Sequence, residues 1–217
     1  MTARANARPS TAPSKGDRAA PVSGRDYIVI PNGQPYLAQA GKIEVVEVFG
    51  YVCPACARFQ PLADSWTRTL PQDVVFRYVP APFGRDWDPY ARGFLVAETM
   101  GLVPRTHNAL IEAIHVAHRM PGEGGAPSDE TVAAFYAGYG VDAQAFLSQM
   151  ASFTTDARMR RVKQFIVGTG VEGTPTLIIA GKYRVVGRTY SETFRIADQL
   201  IELERTARNT GANVSGR

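Results

Sequence analysis

A Cys-Pro-Ala-Cys run sits where a strong strand signal ends and a helical pattern begins, and it narrows the possible folds more than any other part of this chain. The strand signal is Lys42–Phe49, KIEVVEVF. It is rich in β-branched residues and apolar on both faces, which predicts a central strand buried on both sides. After Cys53, the apolar residues Phe59, Leu62, Ala63 and Trp66 recur with helical spacing, and Pro71 closes that stretch. Asp73–Val79, DVVFRYV, is the next strand, ended by Pro80 and Pro82. A strand–helix–strand unit of this kind makes parallel neighbours joined by a right-handed crossover.

Cys53 and Cys56 are the only cysteines in the chain. A thiol at a helix start meets unpaired backbone N–H groups and the positive end of the helix dipole. Both favour thiolate, so Cys53 is the candidate attacking sulfur. Pro54 suits a first helical turn, where its missing N–H costs nothing. Cys56 lies within reach to resolve a mixed disulfide. Two other uses of the pair compete. A structural disulfide closing so short a loop would constrain the unfolded chain little. A zinc half-site would need a second ligand pair at finger spacing, and none follows. The redox reading is favoured.

Downstream of Pro82 the pattern turns helical. Asp88–Met100, Arg105–Met120, Ser128–Tyr139 and Asp142–Met150 all show helical spacing, and a longer helix covers about Thr155–Val167. Ser128 with Asp129 and Glu130 is a helix-start signal. Gly173-Thr174-Pro175-Thr176 then leads into Thr176–Ile179, and Ala180-Gly181-Lys182 turns the chain into Tyr183–Val186. Ser191–Arg208 is a final amphipathic helix, and Tyr27–Ile30 is a short strand before Pro31-Asn32-Gly33. A helical block thus interrupts an α/β sheet domain.

Charge excludes one function class. The chain carries a net +4, but residues 1–25 hold five basic residues against Asp17, and 208–217 add Arg208 and Arg217, which leaves 26–207 at −2. A nucleic-acid-binding domain needs its basic face on the fold itself. No apolar run reaches the ~18 residues of a membrane-spanning helix. Residues 1–25 are poor in large apolar side chains and contain three prolines, which predicts a disordered tail; 209–217 reads the same way. The N-terminal segment lacks the apolar region of a signal peptide, so any export signal is not visible in this chain.

The CPAC at a strand–helix junction, the Thr-Pro before the hairpin and the inserted helices together resemble the DsbA family of bacterial thiol:disulfide oxidoreductases. The resemblance covers about 26–208. It implies an α/β thioredoxin-like fold with an inserted α-helical domain, built as a discontinuous domain of 26–85 and 154–208 around an insertion of 86–153. It implies a periplasmic monomer that introduces disulfides into cysteine-containing exported or unfolded proteins and is reoxidised by a quinone-linked membrane partner, with no cofactor or metal of its own. It also implies that Pro175 is cis and lies against the active-site pair, that Thr174 presents backbone groups to an extended substrate, and that Pro54 and Ala55 face that substrate. Many oxidising relatives have Pro-His between the cysteines; Pro54-Ala55 lacks the imidazole, which leaves oxidising strength open. A reductant or isomerase of the same superfamily, a non-catalytic thioredoxin-fold binding module and a metal carrier are the rival readings.

Glu47 lies six residues before Cys53, where many relatives carry an acidic residue behind the active site. The strand pattern supports it independently, because Ile43, Val45, Glu47 and Phe49 share one face. A carboxyl in that apolar set is expected to have a raised pKa and could pass a proton to or from Cys56; otherwise it reaches a solvent gap or an Arg such as Arg77. His107, His115 and His118 fall on one side of the Arg105–Met120 pattern. Packing is the expected role, a metal patch the alternative. Phe83, Trp87 and Tyr90 are read as core residues, some of them bordering a substrate groove.

Overall fold

The computed structural model describes residues 19–214. The elements in chain order are β1 (Tyr27–Val29), β2 (Ile43–Phe49), α1 (Pro54–Thr67), β3 (Val74–Pro80), α2 (Asp88–Thr99), α3 (Val103–His115), α4 (Asp129–Ala137), α5 (Ala143–Met150), α6 (Phe153–Gly168), β4 (Thr176–Ile179), β5 (Tyr183–Val185) and α7 (Tyr190–Val214). They build a five-stranded sheet in the order β1-β5-β4-β2-β3. Only β2 and β3 run parallel, joined through α1; the other pairs are antiparallel.

The apolar pattern of β2 predicts its central place, and every residue of it is buried. One face of the sheet packs Ile43 and Val45 with Phe59, Ala63 and Trp66 of α1 and with Phe194, Ala197, Leu200 and Ile201 of α7. On the other face Val46 and Val48 join a cluster with Phe94, Met159, Val162 and Ile166 from the helices between β3 and β4. Leu62, which shares the α1 spacing, faces solvent instead. The β4–β5 turn places Ala180 at φ 53° and Gly181 at φ 68°, the two positive values of a tight type I′ hairpin. A side chain at 181 would also strike the backbone of Gln34, 2.1 Å from an added Cβ.

Several element ends differ from expectation. Pro80 belongs to β3, opposite Phe49; it is tolerated because β3 is a sheet edge. The third helix ends at His115, not Met120. The N–H groups of Arg119 and Met120 turn back to the Ala113 carbonyl, and His118 takes φ 49°, so the chain reverses there. The described structure begins before residue 26. Asp26 accepts from Val22 N–H, Ser23 bridges to Tyr27, and the Ala19 carbonyl accepts from Gln199. Residues 1–18 of the expected N-terminal tail lie outside the described residues. At the other end, 209–214 are helical, not a tail. Arg208 pairs with Glu204 and donates to the Lys42 carbonyl, which carries α7 past the expected stop. Residues 215–217 lie outside the described residues.

Candidate active site

The site grows from the end of β2. The chain leaves the sheet at Phe49 and turns through Gly50, Tyr51 and Val52, closed by Cys53 N–H to the Gly50 carbonyl at 3.1 Å. Glycine is required at 50 because the Trp87 ring covers it; an added Cβ would lie 1.9 Å from that ring. Cys53 is the N-cap of α1, with φ −77°, ψ 116° and Pro54 following at the first turn. Its sulfur accepts from Cys56 N–H at 3.4 Å, taking one of the donors that a helix start leaves unpaired. As a thiol, the same sulfur can donate to the Thr174 carbonyl, 3.5 Å away. Both thiols are free and buried, Cys56 the more deeply.

The Thr174–Pro175 bond is cis. The Thr174 carbonyl lies 3.5 Å from the Cys53 sulfur at the start of α1, so Thr174 shares one small region with the Cys53–Cys56 turn. Tyr190, the first residue of α7, donates its hydroxyl to the Ala55 carbonyl at 3.1 Å. Tyr190, Pro175, Phe59 and Arg188 line an open groove beside the cis-proline loop.

The two thiols are driven apart in acidity. Cys53 is lowered to about 5, first by the hydrogen bond from the Cys56 thiol, against its own desolvation, and further by the Cys56 and Ala55 N–H groups. The Thr174 hydroxyl also favours thiolate there. It is buried and meets hydrogen-bond geometry with no protein atom among the described residues, so its influence is one of proximity, not of a formed bond. Burial pushes the Cys56 thiol well above its ordinary range, and the Cys53 sulfur adds to that. Cys53 is therefore the thiolate of the pair at neutral pH.

Glu47 is fully buried, and neither carboxyl oxygen has a hydrogen-bond partner among the described residues. Desolvation raises its pKa to about 8, with the charges of Asp64 and Cys53 adding to the shift. The alternative pairing with Arg77 does not form. Arg77 instead binds Glu44 at 3.1 Å, a carboxylate that also holds the N–H groups of Tyr36 and Leu37. The sequence pattern does not single out Glu44. It sits on the opposite β2 face from Glu47, and its partners come from a loop and from β3.

The histidines separate. His107 is buried between Tyr51 and Gln60 and burial lowers it to about 3, so it is neutral. His115 contacts the Tyr51 carbonyl, and His118 lies beyond the end of α3 and is exposed. No group of three or more His, Cys, Asp or Glu among the described residues could hold a metal. Tyr90 is core, Phe83 is exposed, and Trp87 lies between Phe83 and Gly50.

Known proteins resemble this chain in sequence and fold. No protein-family model matches the chain. It is 41% identical over 187 residues to the thiol:disulfide interchange protein DsbA of Azotobacter vinelandii, which covers 85% of each chain. The DsbA of Pseudomonas aeruginosa is 40% identical over 189 residues, 86% of this chain and 87% of that one. The chain belongs to the DsbA family. The crystal structure of the Xylella fastidiosa family member superposes with a TM-score of 0.82 at 40% identity, covering 87% of this chain and all of the other. The Pseudomonas aeruginosa structure gives 0.75 at 40% identity, covering 86% and 95%. The fold is thus the thioredoxin-like α/β fold with a helical insertion shared by the family, and the chain is a thiol:disulfide oxidoreductase.

Proposed function

We propose that the chain runs its exchange in the oxidising direction, forming disulfides in cysteine-containing exported proteins, with Cys53 as the exchanging sulfur. The observation that carries this is the place of Cys53 at the cap of α1, 3.4 Å from the Cys56 N–H. A thiolate held there makes Cys53 a good leaving group and favours the dithiol form of the protein.

In the forward reaction a substrate thiolate attacks the Cys53 sulfur of the Cys53–Cys56 disulfide. The disulfide breaks, Cys56 takes the electron pair and a proton, and a mixed disulfide joins substrate to Cys53. The substrate's second thiolate attacks its own sulfur of that bond and expels Cys53 as thiolate. The substrate leaves oxidised, and the protein is left as the dithiol. Glu47 is the proton donor and acceptor for Cys56: its pKa of about 8 and its electrostatic contact with Cys53 support this role. Thr174 and Pro175 guide the substrate backbone, and exposed Pro54 with half-buried Ala55 forms the contact surface.

The resemblance supports the remaining parts of the reading. They are a periplasmic monomer, reoxidation by a quinone-linked membrane partner, and a discontinuous domain of 26–85 and 154–208 around an insertion of 86–153. The decisive experiment is equilibration of the Cys53/Cys56 pair against glutathione. A potential of about −180 mV or higher supports an oxidant, and one near about −270 mV identifies a reductant instead. Single Cys53→Ser and Cys56→Ser variants add to the test, since only the latter should be trapped as a mixed disulfide by a disulfide-bonded substrate, its Cys53 thiolate opening that bond and releasing the substrate's other sulfur as thiolate.

A further inference from the structure

Two histidines of α3 hold one residue of the turn that leads into Cys53. His107 Nδ1 lies 3.0 Å from the Tyr51 hydroxyl, and His115 Nε2 lies 2.7 Å from the Tyr51 carbonyl oxygen. A carbonyl only accepts, so His115 carries its proton on Nε2. The other bonds follow from the network. Gln60 must donate its amide N–H to the Asp64 carboxylate at 2.9 Å, and the same nitrogen reaches the Tyr78 hydroxyl at 2.8 Å. The Gln60 oxygen, 3.1 Å from His107 Nε2, is then an acceptor. His107 Nε2–H donates to it, and the Tyr51 hydroxyl donates to Nδ1.

We propose that His115 is a positioning residue of the thiol chemistry. With His107 it clamps Tyr51 at carbonyl and hydroxyl, so that α3 fixes the turn from Gly50 to Cys53 in front of both sulfurs. The turn touches the reacting pair twice. The Gly50 carbonyl accepts from Cys53 N–H at 3.1 Å. The Gly50 backbone also favours thiolate at Cys56 by its proximity. Trp87 closes the far side of Gly50. Releasing the Tyr51 carbonyl removes the tie from α3 to the backbone of this turn, and the Cys53 sulfur drifts from its cap donor. His107 sits in the core, so its loss would disturb packing as well; half-buried His115 is where the clamp can be tested.

The proposal rests on Cys53 being the thiolate, and the test separates the two. Alkylation rate of the reduced protein is followed from pH 4 to 9 for wild type, His115→Ala and His115→Gln. Glutamine keeps an N–H donor near the Nε2 position but carries no charge. The Ala variant should be alkylated about twofold more slowly at pH 5 and about threefold more slowly at pH 4, the effect of a half-unit rise in thiol pKa. The Gln variant should follow wild type. A His115→Ala profile that superposes on wild type overturns the clamp. So does an equal displacement of both variants, which would assign the effect to imidazole charge or packing. A wild-type profile without an acidic transition overturns the Cys53 reading itself. A second measurement needs no variant: imidazole nitrogen shifts at pH 7.5 should show His115 protonated at Nε2, and protonation at Nδ1 alone overturns the proposal.

Discussion

Replacing Glu47 by glutamine should stabilise the reduced protein at neutral pH while slowing its exchange reaction. The carboxyl is wholly buried with no partner for either oxygen among the described residues, and its pKa stands at about 8 against an ordinary 4.5. Between those values the folded chain holds a proton that the unfolded chain has released. Stability of the wild type therefore falls as pH rises through that window, by about 1.4 kcal/mol per pH unit. The amide of the Glu47→Gln variant binds no such proton. The stability difference between variant and wild type should be near zero at pH 4.5 and reach about 3 kcal/mol in favour of the variant at pH 7. Cys53 acts in the opposite sense. Its lowered thiol adds stability that is lost as pH falls through about 5, but both proteins carry it, so it largely cancels from the difference. The assay is urea denaturation of the reduced protein at several pH values from 4.5 to 8, paired with stopped-flow exchange at the same pH. A difference that stays flat with pH would refute the buried, protonated carboxyl. A pH-dependent gain in stability with unchanged exchange rates would refute its proton-transfer role.

Cys53 should be alkylated before Cys56, with a midpoint near pH 5, as peptide mapping would show; first modification at Cys56 reverses the roles. Gly50→Ala should cost about 1–3 kcal/mol and shift tryptophan fluorescence, because the Trp87 ring must move; an unchanged melting curve would contradict the close approach. Arg77→Ala should cost about 1–2 kcal/mol and speed amide exchange at Tyr36 and Leu37, since Glu44 keeps those two N–H bonds but loses its ion partner. Equal exchange rates in the two proteins would show that the carboxylate needs no partner there.

The parts of the site legible in the sequence are those coded by neighbours in the chain. Cys53, Pro54 and Cys56 announce themselves by sitting between a β-branched run and a helical one, and Glu47 by falling on an apolar strand face. Thr174 and Pro175 are placed only by likeness to a family; nothing local in Gly173–Thr176 shows that this loop brings Thr174 to the Cys53 sulfur. Tyr51 is silent in the sequence because both of its partners are more than fifty residues away on α3. Gln60 and Glu44 are silent for another reason: their partners are nearer in the chain, and a polar residue in an apolar stretch signals burial without showing which neighbour packing brings to it. The end of α3 differs from expectation because helical spacing continues to Met120, whereas backbone bonds to Ala113 turn the chain five residues sooner.

Because the sulfur of Cys53 doubles as the cap of α1, the oxidation state of the protein is written into the first turn of a helix. In the dithiol form that turn holds a charge; in the disulfide form the charge is gone. Around a closed cycle of folding and reduction, what the helix end contributes to folding of the dithiol form equals what makes the disulfide easier to reduce. Electron affinity and conformational stability are then one quantity seen from two sides. Any substitution that frays the start of α1 should weaken the oxidant to the extent that it weakens the reduced fold more than the oxidised one. A thermal-stability screen comparing dithiol and disulfide forms would rank variants by redox poise without transferring an electron.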